Sequence, residues 1–439
     1  MVGELQMKRY ILNSFVAAII LFAAACKPEI ETPAGSTAGQ ANFSKYIAVG
    51  NSLTSGFADG GLYLEGQKVA YPNLLAAKMA TVGGGAFTSP FFSEEHLNGS
   101  SYISLTALVN GTPTLTPVVD KLAYRDAAKH LDKYNGEIQN LGIPGMRVDL
   151  AFDPTFSFSA ANPYFERLLT DAQVGKTNYF QFIQGRNHTF FSLWLGNNDV
   201  LGYALNGAVT VSTDPTTALT DKVTFSSLYA NFLNVLTVGG QKGIVGTIPD
   251  VTAIPYFNTV TVAALLNAAK AINPAAAAIY IQTGAGAVRP ATAEDLIRLP
   301  FQSEGIFGKP NVAGIPYGLH PLNPIENKWV LDKDEVVKVK DYVNSYNSTI
   351  KSLATSKGLA IADTYTYFNQ VKTGINVQGV GINAAFITGG AFSLDGIHLT
   401  PRGNAVIANV FIDAINAKYG STIPTVDITQ YRGVKFPDK

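Results

Sequence analysis

The sequence predicts an α/β fold in which helices cover both sides of one five-stranded parallel sheet. Three observations carry that expectation. Short apolar runs alternate with stretches of helical periodicity along the chain. Hydrophobic residues make up 47% of the 439 residues and charged ones only 15%, enough apolar material for a sizeable core. The length suits one large domain or two modest ones, and no internal repeat divides the chain.

The first strand is Tyr46 to Val49, which ends at Gly50 and is followed by Ser52. A Gly-rich loop, Gly56 to Gly61, leads to Tyr71-Pro72 and the helically spaced Leu74, Leu75 and Met79. Residues 83 to 120 are rich in Gly, Ser, Thr and Pro and read as an irregular surface insertion. A second strand is expected at Ile138 to Leu141, running into Asn140-Leu-Gly-Ile-Pro-Gly145. Asn162-Pro163 opens a helix over Phe165, Leu168 and Leu169, and Phe190 to Leu195 is the third strand, ending in Gly196-Asn-Asn-Asp199. A helix follows over Ser226 to Val238, then a fourth strand over Gly243 to Ile248. The segment from 250 to 330 mixes Ala-rich helical pieces with the Gly/Pro/aromatic run Phe301 to Pro324, read as a lid or substrate-side loop rather than core. Asp332 begins the clearest helix: Val336, Val339, Val343, Tyr346, Ile350 and Leu353 recur at spacings of three and four, and Gly358 ends it. Leu359 to Ala362 is the fifth strand. Thr400 and Pro401 then cap a last helix with Val406, Ile407, Val410, Phe411 and Ile415 on its buried face.

The N-terminus reads as a targeting segment. Lys8 and Arg9 precede the apolar run Tyr10 to Ala25, too short for a comfortable membrane span and closed by small residues. Cys26, the only cysteine, follows directly and has no partner for an internal disulfide. This arrangement resembles a bacterial lipoprotein lipobox, with Ala23 where Leu is usual. The resemblance implies a signal peptide over 1–25, cleavage before Cys26, lipid on its thiol and amine, and a flexible tether over 26–43. Lys27 after the cysteine favours the outer membrane on the same resemblance. With 32 basic and 32 acidic residues the net charge is zero, which argues against a nucleic-acid partner.

The candidate chemistry centres on Ser52. In an open parallel sheet, ligands bind beyond the carboxyl ends of the strands, where Ser52 falls. A serine in that place also serves simply as a helix cap. As a nucleophile it needs a base, and the base needs a partner that fixes its tautomer. Of the five histidines, only His398 has an aspartate three residues earlier, Asp395, and it sits in a turn entering a helix. His96, His130, His188 and His320 read as loop or surface histidines with no metal-site spacing.

Four stretches, Gly50-Asn-Ser-Leu-Thr54, Asn140-Leu-Gly-Ile-Pro-Gly145, Gly196-Asn-Asn-Asp199 and Asp395-Gly-Ile-His-Leu399, occur in that order, and together they resemble the SGNH (GDSL) hydrolase superfamily. The resemblance implies a flavodoxin-like sheet in strand order 2-1-3-4-5. It also implies Ser52 as nucleophile, His398 as base and then acid, and Asp395 as its orienter. The oxyanion hole would take the backbone N–H groups of Ser52 and Gly145 and the side-chain amide of Asn198. On that reading 44–420 is the hydrolase domain, with insertions at about 83–130 and 250–330, and 421–439 is a C-terminal tail. Asn51 stands where the family name has Asp, and Asn197 where a second Gly is usual.

The function implied is a lipid-anchored, exported serine esterase acting on short-chain, acyl or lipolytic esters through an acyl-serine, with no cofactor. Its partners would be a small-molecule, glycan or lipid ester and a membrane held through the lipid. A carbohydrate acetyl esterase, an acyltransferase, and a catalytically silent glycan- or lipid-binding surface lipoprotein are the alternatives. The elbow of the other large serine-hydrolase fold needs glycine where this chain has Thr54.

Overall fold

A computed structural model of the chain describes residues 35–109 and 111–437. The expected signal peptide, the lipidation at Cys26 and the first part of the tether lie outside the described residues, as do the last two positions of the tail.

Five short apolar segments form the central sheet: β1 (Tyr46–Gly50), β2 (Asn140–Gly142), β3 (Phe190–Trp194), β4 (Lys242–Gly246) and β5 (Ala360–Ala362). Their spatial order is β2-β1-β3-β4-β5, and every pairing is parallel. β1 and β3 are buried along their whole length, the pattern of strands covered on both faces. Register decides where the chemistry can sit. Gly50 lies opposite Gly142 on one side and Trp194 on the other. The turns after these three strands therefore leave the sheet side by side, which brings 52, 145 and 198 to one rim.

The fold is α/β, with helices packed on the sheet in two pairs. In one, α2 (Tyr71–Ala80) lies along α6 (Pro401–Tyr419). Trp194 of β3, fully buried, packs its indole against Tyr71 and Phe411 there. Truncating such a side chain typically costs about 3–5 kcal/mol. In the other, α4 (Lys222–Leu236) packs on α5 (Lys333–Ser356), with Phe225 and Tyr346 stacked at 3.9 Å between ring centroids. The start of α5 is over-determined: Asp332 accepts from the Asp334 and Glu335 N–H groups while Glu335 accepts from the Asp332 N–H. Thr400 caps α6 by accepting from the Gly403 N–H.

Several expectations need correction. The helix opened by Asn162-Pro163 is a single turn, Pro163–Glu166; buried Arg167, donating to the Pro90 and Asp132 carbonyls, ties the chain down before Leu168 and Leu169 can extend it. The insertion after residue 83 holds a hairpin, Ile103–Val109 with Thr112–Pro117; Ile103, Leu105 and Ala107 alternate with Ser104 and Thr106 in its first strand, but little of either strand is buried. The run from Phe301 is not purely irregular: Phe301 joins Val260, Ile281, Ile297, Ile325 and Val330 in a small second core. Ordered packing begins before Phe43, since Thr37 donates to the Thr422 hydroxyl and Gln40 to the Tyr419 carbonyl. The C-terminal stretch is likewise packed rather than trailing, with Ile423, Val426 and Ile428 buried.

Candidate active site

Gly50 is required by close approach: a Cβ there would meet the Thr54 Oγ1 at 2.1 Å and the Trp194 carbonyl at 2.6 Å. The chain can therefore turn directly from β1 into the one-turn helix α1 (Ser52–Ser55), capped by the Asn51 Oδ1 accepting from the Leu53 N–H. Ser52 is its first residue and is 6% exposed. At that position an N–H has no partner within the helix.

His398 stands across from it. Its Nε2 is 2.9 Å from the Ser52 Oγ, and its Nδ1 is 2.8 Å from the Asp395 Oδ2. An ionised carboxylate only accepts, so Nδ1 carries the proton and the Nε2 lone pair faces the serine hydroxyl. Asp395 also accepts from the backbone N–H groups of Ile397, His398 and Gly60 and from the Ser393 hydroxyl. Burial alone would raise its pKa, but the electrostatic pull of His398, the hydrogen bond from its ring and the backbone N–H groups outweigh that and hold the carboxyl well below the usual range. Phe57 closes the other side of the imidazole, ring centroids 4.7 Å apart.

The segment from 250 to 330 supports this turn, and its first residues, Val251 and Ile254, reach a cavity at Ser52. Tyr256 donates its N–H to the Gly396 carbonyl, and Leu299 donates to the Tyr256 carbonyl. None of Phe301 to Pro324 lines the two cavities that open at Ser52, so the lid reading does not hold for them.

Gly145 follows β2 at φ +75°, a left-handed conformation that favours glycine. Its turn is pinned by the Asn162 side chain donating to the Pro144 carbonyl. Neither the Gly145 nor the Ser52 N–H has a hydrogen-bond acceptor among the described residues. Asn198 opens α3 (Asn198–Leu205), a helix the sequence reading left out. One of its amide hydrogens is held by the Met146 carbonyl, 2.9 Å away, which orients the group and leaves the second hydrogen to the cavity. Ser52, Gly145, Asn198 and His398 all border one cavity of about 330 Å³, whose walls include Phe57, Phe156 and Tyr164.

A buried polar clamp joins the Gly145 and Asn198 turns, and the sequence reading missed it. Arg147 donates to the Asn198, Thr216 and Ala218 carbonyls and pairs with Asp149. Asp199 accepts from the Val148 N–H and the Thr220 hydroxyl. One buried cation faces two carboxylates. Burial of Asp149 is outweighed by Arg147, so its pKa falls, whereas burial of Asp199, with the Asp149 charge beside it, pushes that carboxyl up. The signal available in sequence was an Arg two residues after Gly145 and an Asp directly after Asn198. Among the other histidines, His188 is buried between the Arg186 and Leu236 carbonyls, not on the surface as expected. His96 and His130 sit in loops beside Asp132 and Asp126.

No protein-family model matches the chain, and no curated protein matches it in sequence. The arrangement itself can deprotonate an alcohol and present N–H donors beside it.

Proposed function

We propose that this chain is a serine esterase of the SGNH type, with its five-stranded sheet in the three-layer, flavodoxin-like arrangement of that superfamily. The observation that carries the reading is the line Asp395–His398–Ser52, with bonds of 2.8 and 2.9 Å. In the reaction His398 Nε2 takes the proton as Ser52 Oγ bonds to the acyl carbon. The negative charge on the former carbonyl oxygen is met by the Ser52 and Gly145 N–H groups and the Asn198 amide. The carbon–oxygen bond to the alcohol then breaks, and His398 gives its proton to that alcohol. Water repeats the sequence on the acyl-serine, releasing the acid and restoring the Ser52 hydroxyl. The substrate class is a carboxylic ester whose alcohol part occupies the wide, aromatic-walled cavity.

A fluorophosphonate probe with a panel of esters of increasing acyl length tests this. The wild type is labelled and turns over short-chain esters, and Ser52→Ala does neither. Equal labelling of both proteins would reject Ser52 as nucleophile. Export and lipid anchoring through Cys26 belong to the same proposal; Cys26→Ser retained in the membrane pellet would refute the anchor.

A further inference from the structure

The Gly-rich loop Gly56 to Gly61 has no part in the chemistry described so far, yet it reaches Asp395. Ala58 and Gly61 exchange both backbone hydrogen bonds, each 2.9 Å, around the two-residue turn Asp59-Gly60. Both turn residues have positive φ, +53° and +77°, the backbone that an Asp-Gly pair adopts most readily in a two-residue hairpin. The Gly60 N–H donates to the Asp395 Oδ2 at 2.9 Å. The Asp59 N–H donates to the Ser393 Oγ at 2.9 Å, and that hydroxyl stands 3.1 Å from the Asp395 Oδ1. An amide N–H only donates, so the Ser393 oxygen accepts there and keeps its one proton for the carboxylate.

The Asp59 side chain returns the contact. Its Oδ1 accepts from the Leu394 N–H at 2.9 Å, and its Oδ2 accepts from the Tyr63 hydroxyl at 2.6 Å. Asp59, Tyr63 and Ser393 are all buried. The outer side of the turn is fastened as well: the Asp59 carbonyl accepts from Ile103 at the base of the insertion hairpin, and Leu62 exchanges hydrogen bonds with Ser100. On the esterase reading above, we infer that Asp59 and Ser393 are positioning residues, which act on the reaction by fixing the catalytic carboxylate. The two local donors, the Ile397 and His398 N–H groups, both end on Oδ1. The Oδ2 that meets the His398 ring has only one other donor among the described residues, the Gly60 N–H. The turn therefore decides how the carboxyl is rotated against the imidazole. Misplacement of a catalytic group by about 1 Å costs on the order of 10²-fold in rate, so a loop that fixes this rotation bears directly on kcat.

A double-mutant cycle on an activated nitrophenyl ester tests this. Ser393→Ala is expected to lower kcat about tenfold to a hundredfold, with KM within about twofold of wild type. In the Asp395→Ala background the same substitution is expected to cost nothing further, because the group it positions is gone. Asp59→Gly keeps the turn but removes the acceptor of the Leu394 N–H, and its kcat should fall severalfold. Asp59→Asn, which restores an oxygen there, should recover most of that loss. A Ser393→Ala kcat equal to wild type, or a loss of the same size with and without Asp395, overturns the inference and leaves the esterase reading in place. A wild type that neither takes up fluorophosphonate nor turns over any ester overturns both. Should Ser393→Ala fail to fold, Asp59→Gly takes its place in the cycle and the same outcomes decide.

Discussion

The imidazole Nε2 of His398 lies 2.9 Å from the Oγ of Ser52, across 346 residues of chain. That contact joins the turn after β1 to the turn before α6, and neither group has the chemistry alone. The two are therefore expected to act as one unit. Ser52→Ala, His398→Ala and the double variant should share nearly the same residual kcat, several orders of magnitude below wild type, rather than showing multiplied losses. Steady-state rates on one activated ester measure this. A double variant much slower than either single one would mean that the residues contribute independently.

Asp395 is expected to matter through the ring it holds. Asp395→Asn keeps the size of the group but presents no fixed carboxylate to the Nδ1 proton, so the serine-facing tautomer is no longer enforced; losses near 10⁴ in kcat are the order for such a change. Stability carries a second signature. The folded carboxyl lies well below its ordinary value, because the electrostatic pull of His398 and the N–H donors outweigh burial. Stability from a depressed carboxylate is fully present above the unfolded value, near 4, and is lost as pH falls through the folded one. The wild-type advantage over Asp395→Asn in urea midpoint should thus be constant from about pH 5 upward and shrink only in strong acid. An advantage that vanished by pH 5 would contradict the burial and bonding described.

The parts of this architecture that could be read in advance are those where local chemistry and tertiary role coincide. Tyr46 to Gly50 was legible because an apolar run buried on both faces ends at a glycine that the close approach of Thr54 and Trp194 demands. Helix α5 was legible because its apolar spacing and its Asp332/Glu335 capping box agree. Where tertiary contacts override local pattern, reading failed. Leu168 and Leu169 keep helical spacing, yet Arg167 anchors the chain elsewhere. The hairpin Ile103–Val109 and Thr112–Pro117 carries the alternation Ile103, Leu105, Ala107, but that short signal sits in a stretch rich in Gly, Ser, Thr and Pro and little of it is buried. At the site, Ser52, His398 and Asp395 were named from residue type and spacing, whereas Phe57 acts through a contact that no linear spacing encodes, and the Arg147–Asp199 clamp left only the placing of Arg147 after Gly145 and Asp199 after Asn198 as a sign.

The proposed oxyanion donors yield a separate expectation. Asn198→Ala removes one oriented N–H and leaves the Met146 carbonyl without its donor. Loss of one such donor costs about 3–4 kcal/mol of transition-state stabilisation, or 10²–10³ in kcat, with KM little altered. Gly145→Ala should also damage the site, by a different route. Its added Cβ would meet only the Asn162 Nδ2, at 3.7 Å, so space is available, but φ +75° is costly for any residue with a Cβ. The expected outcome is a displaced N–H and a lower thermal midpoint, whereas Asn198→Ala should lower kcat without a comparable thermal loss. A kcat unchanged in Asn198→Ala would remove that amide from the oxyanion hole.

Asp199 couples stability to the placement of those donors. It sits directly after Asn198 and accepts from Val148, three residues beyond Gly145, so it ties the Gly145 and Asn198 turns together. Burial and the nearby Asp149 charge, opposed by Arg147, push its carboxyl up to about 7. Because the folded value is raised, the native chain keeps a proton that the unfolded chain gives up above about 4. Its contribution is therefore full in acid and declines as pH climbs from about 4 toward 7. Asp199→Asn imitates the protonated form and does not titrate. Urea midpoints at pH 4.5 and 7.5 should fall less for Asp199→Asn than for wild type, with much of kcat retained since the amide oxygen still accepts from Val148. Asp199→Ala loses that acceptor and should lower kcat at every pH with KM nearly constant, as the Gly145 turn drifts from Asn198. Identical pH slopes for wild type and Asp199→Asn would mean that the carboxyl is ionised in the fold and that Arg147 holds both acids charged.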